Sequence, residues 1–227
     1  TLNRPERRNA LHRDMYPAIR RGLADFATAD DVACVVLTGA GPGFCAGGDV
    51  RDGGARRADT APPTVEAASE MLLSDARVSQ ELHEHPKLTI AAVNGAAVGA
   101  GMALALACDL RVMAPTAKLV PGWSPLGFSG DFGGTWFLTR LVGPARALEI
   151  LLANTTIDAT MATGLGVANH VTATNEPADF EHGWREWVGR FAAGPIEAMG
   201  RTKANVRQAL TDPLDSAIVD ESRRMVE

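Results

Sequence analysis

The chain has 227 residues, enough for one large domain or two small ones, and its 46% hydrophobic and 22% charged residues are an ordinary globular composition. A net charge of −5 leaves no basic footprint for nucleic acid or an anionic membrane surface, and no apolar run reaches the ~18 residues of a membrane helix. Three cysteines, Cys34, Cys45 and Cys108, have neither metal spacing nor an even disulfide count, which suits a reduced, cytoplasmic setting.

The chain opens on "TLNRPERRNA", which reads as the close of a strand. Apolar residues at Met15, Ile19, Leu23 and Phe26 then repeat at helical spacing. Pro17 is cheapest in a first turn, so this helix is expected to begin near Arg13. "VACVVLTG" (32–39) is a buried strand closed by glycine, and "AGPGFCAGGDV" a glycine-rich loop. "RDGGARRADTAPPT" (51–64) mixes charge, Gly and Pro-Pro and is the expected mobile loop. A helix over 65–85 and a second buried strand, "LTIAAVNG" (88–95), follow.

Next come a helix in "GAGMALALACD", a strand in "LRVMA", and a loop-rich segment, "AKLVPGWSPLGFSGDFGG". "TWFLTRLVG" and "PARALEILLAN" are expected helices, and "ATMATGLGVANHV" a short helix running into a strand. Two or three amphipathic helices close the chain from about Phe180, and its end falls inside an apparent helix. Alternating strands and helices argue for α/β layering with parallel strands. The expected organisation is a catalytic α/β core over 1–175 and a helical region over 176–227.

Both glycine-rich loops, "FCAGGDV" and "AAVGAGMA", follow buried strands. Parallel strands end on one side of a sheet, where open α/β sheets bind ligands. Bare backbone at two neighbouring strand ends can aim two N–H groups at one oxygen, each worth roughly 3–4 kcal/mol to an oxyanion. Small residues in ordinary tight turns explain the same pattern equally well. No Lys-Ser/Thr pair follows the glycines, which removes a phosphate-loop reading.

Four blocks, "NRPERRNAL", "FCAGGDV", "AAVNGAAVGAGMALALACDLRV" and "GGTWFLTRLVGPARALEILL", occur in an order that resembles the enoyl-CoA hydratase/isomerase (crotonase) superfamily. The resemblance covers Leu2 to about Val171. It implies an α/β fold with a ββα spiral core and a helical C-terminal trimerisation region, giving homotrimers or dimers of trimers. It implies an acyl-CoA thioester substrate, with coenzyme A entering as part of that substrate and neither metal nor separate cofactor. It assigns the oxyanion donors to the N–H groups of Gly48 and Ala100. It also gives Ala46 and Gly47 backbone contacts to CoA, and Arg8 and Arg51 its phosphates, although a solvated surface charge is the competing reading for each arginine.

Hydratases of that family use two glutamates, and ungapped matching places these at Ala103 and Trp123. Neither is a carboxylate, and an indole offers only an N–H donor. Asp131 remains in the right segment. It is read either as an N-cap for the following helix or as the acid/base or nucleophile that dienoyl-CoA isomerases and 4-chlorobenzoyl-CoA dehalogenases of the family carry at this place. Trp123 would then line the acyl pocket and donate to Asp131. The dehalogenase histidine falls at Ala76, which departs from that pattern. Asp109, His12, His170 and Glu149 read as structural or surface groups, and Ser124 and Ser129 have only sequence proximity to Asp131. The expected activity is isomerisation or another single-carboxylate reaction. A hydrolase or dehalogenase with Asp131 as nucleophile and a silent CoA-binding protein are the alternatives.

Overall fold

The computed structural model describes residues 1–49 and 64–226. Three times in succession the chain lays down two strands and then a helix. Strands β1 (Cys34–Thr38) and β2 (Gly43–Cys45) precede α2 (Val65–Glu84), which α1 (Met15–Thr28) accompanies. Strands β3 (Leu88–Val93) and β4 (Ala96–Val98) precede α3 (Ala100–Ala107), and β5 (Leu110–Met113) and β6 (Lys118–Val120) precede α4 (Gly134–Val142). The first strand of each pair joins one sheet, in the order β1-β3-β5-β8, where β8 is His170–Val171. The second joins another, β2-β4-β6-β7, where β7 is Ile157–Asp158. All pairings are parallel except β6 with β7.

This is the expected α/β spiral. The residue pattern alone had shown only its first sheet. β2, β4 and β6 are three residues each, too short for an alternating pattern, and glycine and alanine disguise two of them as loop. β3 is buried from Thr89 to Val93, as suits a strand within a parallel sheet. α3, "AGMALALA", has every side chain buried, so no polar face is present to reveal its period. Each Leu, Ile or Val sealed in this core contributes ~1.5–3 kcal/mol of apolar transfer.

The first helix begins two residues after its expected start, with Asp14 at its N-cap. Its buried face is Tyr16 and Leu23, with Met15 and Ile19 packed alongside, whereas Phe26 is 43% exposed. The expected mobile segment at 51–64 lies outside the described residues except for Thr64, which caps α2 through its hydroxyl. A single glycine, Gly143 at φ +78°, separates α4 from α5 (Pro144–Leu152). After α6 (Ala159–Gly164) come three further helices, α7 (Pro177–Ala192), α8 (Ile196–Gln208) and α9 (Leu214–Val226). α8 returns to the core through Lys203, whose ammonium lies 2.7 Å from Asp109 Oδ2 and donates to the Lys87 carbonyl. Among the described residues no helix is long and apolar enough to cross a membrane.

Candidate active site

β2 and β4 run parallel, with Gly43 opposite Ala96 and Cys45 opposite Ala97, so the loops that follow leave on the same side. They touch. Gly47 has φ +91°, and a Cβ there would stand 2.9 Å from the Val98 carbonyl oxygen and 3.7 Å from the Ala100 nitrogen. A Cβ on Gly101 would stand 2.3 Å from the Cys45 carbonyl oxygen. The small residues are thus required for the approach of one loop to the other.

Leu11 bridges the first loop by accepting from Asp49 N–H and donating to the Gly47 carbonyl, which passes over the Gly48 amide. Gly48 is exposed, and its would-be Cβ meets no atom within 4 Å. Ala100 opens α3, so its N–H belongs to the first turn that no helical carbonyl can serve. Among the described residues neither amide donates to a backbone carbonyl. Two unspent N–H groups therefore stand on adjoining loops, one of them at the positive end of a helix.

Two side-chain amides that the sequence reading passed over, the buried Asn9 and the half-buried Asn94, hold these loops in place. Asn9 donates to the carbonyls of Ala40 and Gly43, and Asn94 to those of Gly39 and Gly41. Their signal was the asparagine beside a small residue in two of the quoted blocks. Arg8 adopts φ +51° and accepts from the Ala46 N–H, which joins the first block to the loop at Ala46 and Gly47. The Arg8 side chain is exposed. Arg51 lies outside the described residues.

Asp131 does not cap α4: Gly133 occupies the N-cap position, and no side chain caps that helix. Its Oδ1 instead accepts from the Trp123 indole Nε1 at 2.8 Å. Burial pushes the Asp131 carboxyl above the ordinary carboxylate range, and the indole hydrogen bond partly offsets this by favouring the anion. Trp123 is itself buried against Gly134, where a Cβ would stand 2.4 Å from the indole Cη2 and 3.3 Å from the Ala103 Cβ. Trp123 and Ala103 thus converge on one spot, filled by an indole and a methyl group. Among the described residues, neither Ser124 nor Ser129 hydrogen-bonds Asp131 through its side chain.

Tyr16 is a further group that the helical spacing of α1 did not single out, though it stands seven residues before the buried Leu23. Its ring packs 5.8 Å from Phe132, and burial, Asp75, Cys45 and Asp131 all raise its pKa. Burial pushes the Cys45 thiol up to about 12, so it is no thiolate nucleophile at neutral pH. Asp109 is structural as expected, accepting from Thr89 N–H and Oγ1. His170 stacks on Trp187, and Glu149 pairs with Arg146. A separate cavity of about 620 Å³ reaches from α3 and α4 to α8, but its one carboxylate is the committed Asp109. Among the described residues no cluster of His, Cys, Asp or Glu could hold a metal ion.

Spiral, paired loops and carboxylate together define an α/β protein of two sheets whose strand-end loops meet beside a partly buried carboxylate. The chain belongs to the enoyl-CoA hydratase/isomerase family, whose sequence profile matches residues 1–227. It is 35% identical to the 1,2-epoxyphenylacetyl-CoA isomerase of Escherichia coli (strain K12) over 218 residues, covering 96% of this chain and 81% of that one. It is 31% identical to the 4-chlorobenzoyl coenzyme A dehalogenase-2 of an Arthrobacter species, covering 99% and 79%. A chain from Thermobifida fusca YX solved in complex with CoA superposes with a TM-score of 0.85 at 33% identity, covering 98% of this chain and 85% of that one.

Proposed function

We propose that this protein binds an acyl-CoA thioester and shifts a double bond in its acyl group. The N–H groups of Gly48 and Ala100 hold the thioester oxygen, and Asp131 carries the proton. The Asp131 carboxylate takes a proton from the carbon beside the thioester carbonyl. The electron pair moves onto the oxygen between the two amides, and the resulting carboxylic acid returns the proton at a more distant carbon. Atoms balance without added water, as suits a site with one carboxylate at the acyl end. Arg8 and Arg51 are the proposed phosphate contacts, while Ala46 and Gly47 offer backbone to the CoA. The similarity to a CoA-bound relative supports that part.

The observation that carries this reading is the Trp123–Asp131 hydrogen bond. It leaves the carboxylate uncommitted to any helix end, partly dry and beside the second loop, where the indole Nε1 lies 3.8 Å from a Cβ built on Gly99. The test is incubation with enoyl-, dienoyl- and aryl-CoA thioesters, with products identified by mass. Isomerised thioester supports the reading; tight CoA binding with no conversion across the panel supports a silent binding protein instead.

A second reading, Asp131 as nucleophile in a hydrolase or dehalogenase, is favoured by the 31% identity to the dehalogenase. A dehalogenase requires an aryl ester of Asp131 formed with loss of halide. A hydrolase requires a mixed anhydride of Asp131 and the acyl group, formed with loss of the CoA thiol. Either is visible as a mass increase on the Asp131 peptide. We further propose a core over 1–175 and a C-terminal region from 176 that assembles homotrimers, alone or paired. Exposed Leu148, Leu152, Leu214 and Ile218 support this by leaving apolar surface on α5 and α9. Light scattering showing a monomer at micromolar concentration would remove it.

A further inference from the structure

The cavity between α4 and α8 is separate from the candidate active site: none of Gly48, Ala100, Trp123 and Asp131 lines it. α3 starts at Ala100, beside the paired loops, and Leu106 at its other end lines the cavity. Leu88, Leu110, Phe137, Phe191 and Met199 continue an apolar wall. Its volume of about 620 Å³ is within the roughly 300–1,000 Å³ of small-molecule sites.

The charges of this lining do not balance. Arg111, Arg140, Lys203 and Arg207 stand against one carboxylate, Asp109. Lys203 takes Asp109 at 2.7 Å, and the Arg111 guanidinium is spent on the carbonyls of Cys108 and Val167. Arg140 on α4 and Arg207 on α8 remain. Among the described residues neither side chain has an ion pair or a hydrogen bond. Arg140 is held over the Trp136 ring, its Cζ 3.6 Å from the centroid, and His83 meets Trp136 edge-on at 5.2 Å. Burial, and after it the Arg207 charge, lowers the His83 pKa, so that ring is neutral at neutral pH.

A guanidinium has five donors and no acceptor, and it grips a carboxylate through two donors at once. We propose that this cavity binds an alkyl carboxylate, its hydrocarbon body against Leu106, Leu110 and Met199 and its head on Arg140 and Arg207. Charge complementarity selects this occupant. A cation would meet uncompensated arginines, and an uncharged chain would crowd their donors without pairing them. The inference is independent of the thioester reading.

The experiment is calorimetric titration of the full chain with octanoate, 1-octanol and octylammonium, with light scattering alongside. Octanoate is expected to bind at least roughly tenfold tighter than the other two, the size of one charge-assisted hydrogen bond. Arg140→Gln and Arg207→Gln should each remove about tenfold of that affinity and leave 1-octanol unchanged. Ala198 is exposed on α8 and lines the cavity, so Ala198→Phe should fill it and abolish octanoate binding at an unchanged melting temperature. No binding of octanoate, or equal binding of all three probes, overturns the proposal. Octanoate affinity that survives in Arg207→Gln and Ala198→Phe places the ligand elsewhere, the acyl site included, and overturns it too. So does binding that appears only as the chain dissociates, since a second copy would then cover the cavity. Failure of every CoA thioester to bind would remove the proposed function and leave these outcomes as they stand.

Discussion

The indole N–H of Trp123 and the carboxylate of Asp131 meet at 2.8 Å, eight residues apart in a segment with no regular structure beyond one short turn. Burial and this hydrogen bond pull the carboxyl in opposite directions, with burial the larger effect. Trp123→Phe removes the donor and leaves an aromatic ring beside Gly134. The acid limb of the kcat/KM profile should then move to higher pH, because the influence favouring the anion is gone. An unmoved limb would assign that ionisation to another group.

Asp131→Asn separates catalysis from stability. The raised pKa means the folded state keeps this proton to higher pH than the unfolded chain does. Its favourable contribution is therefore present below the ordinary carboxylate range and is lost as pH rises through the raised value. The asparagine carbonyl still accepts from Trp123, and no ionised group is buried. Turnover is expected to fall by orders of magnitude, since an amide neither takes the proton nor attacks. At neutral pH the variant should melt no lower than the parent, and any difference should shrink toward pH ~4. Unimpaired turnover would end the catalytic role of Asp131.

Ala100 heads α3, where proline's missing N–H breaks no helical bond and its fixed φ suits the first turn. Ala100→Pro thus deletes one proposed oxyanion donor and spares the helix. A loss of roughly 10²–10³ in kcat is expected, against a mild effect of Ala100→Gly, which retains the N–H. Activity in the proline variant near that of the glycine variant would remove Ala100 from the mechanism.

Gly134→Ala drives a methyl group into the Trp123 indole and against Ala103. Overpacking of this kind costs ~1–3 kcal/mol. Here it should also displace the indole from Asp131, so melting temperature and turnover should fall together. A stable, fully active variant would show that the indole has room to move without consequence.

Lys203→Met leaves Asp109 with only its Thr89 donors and unpins α8 from the core. A cost of about 3 kcal/mol is expected, the low end for breaking a buried pair. Thermal melting checks it, and CoA affinity serves as the control.

Helical spacing marked α1, and apolar runs closed by glycine marked β1 and β3. The strands β2, β4 and β6 were not legible as strands. Three residues carry no alternation, and the glycines that let the loops approach one another also erase strand character. Gly48 and Ala100 were singled out by the family blocks, since a backbone donor leaves no chemical trace in its own side chain. For Asp131 the sequence held two roles open, and only the geometry of α4 withdrew the cap. Tyr16 was missed because the apolar count along α1 ran through Met15, Ile19, Leu23 and Phe26 and passed over its buried ring.

The three groups of the proposed mechanism come from successive windings of the spiral: Gly48 after the first strand pair, Ala100 after the second, Asp131 after the third. The first two act through backbone N–H groups, which most side-chain replacements leave in place. The third acts through a side chain that any codon change can replace. Such an arrangement separates what is inherited from what is negotiable. Descent can rewrite the reaction at the third winding while the grip on the thioester oxygen passes on unedited.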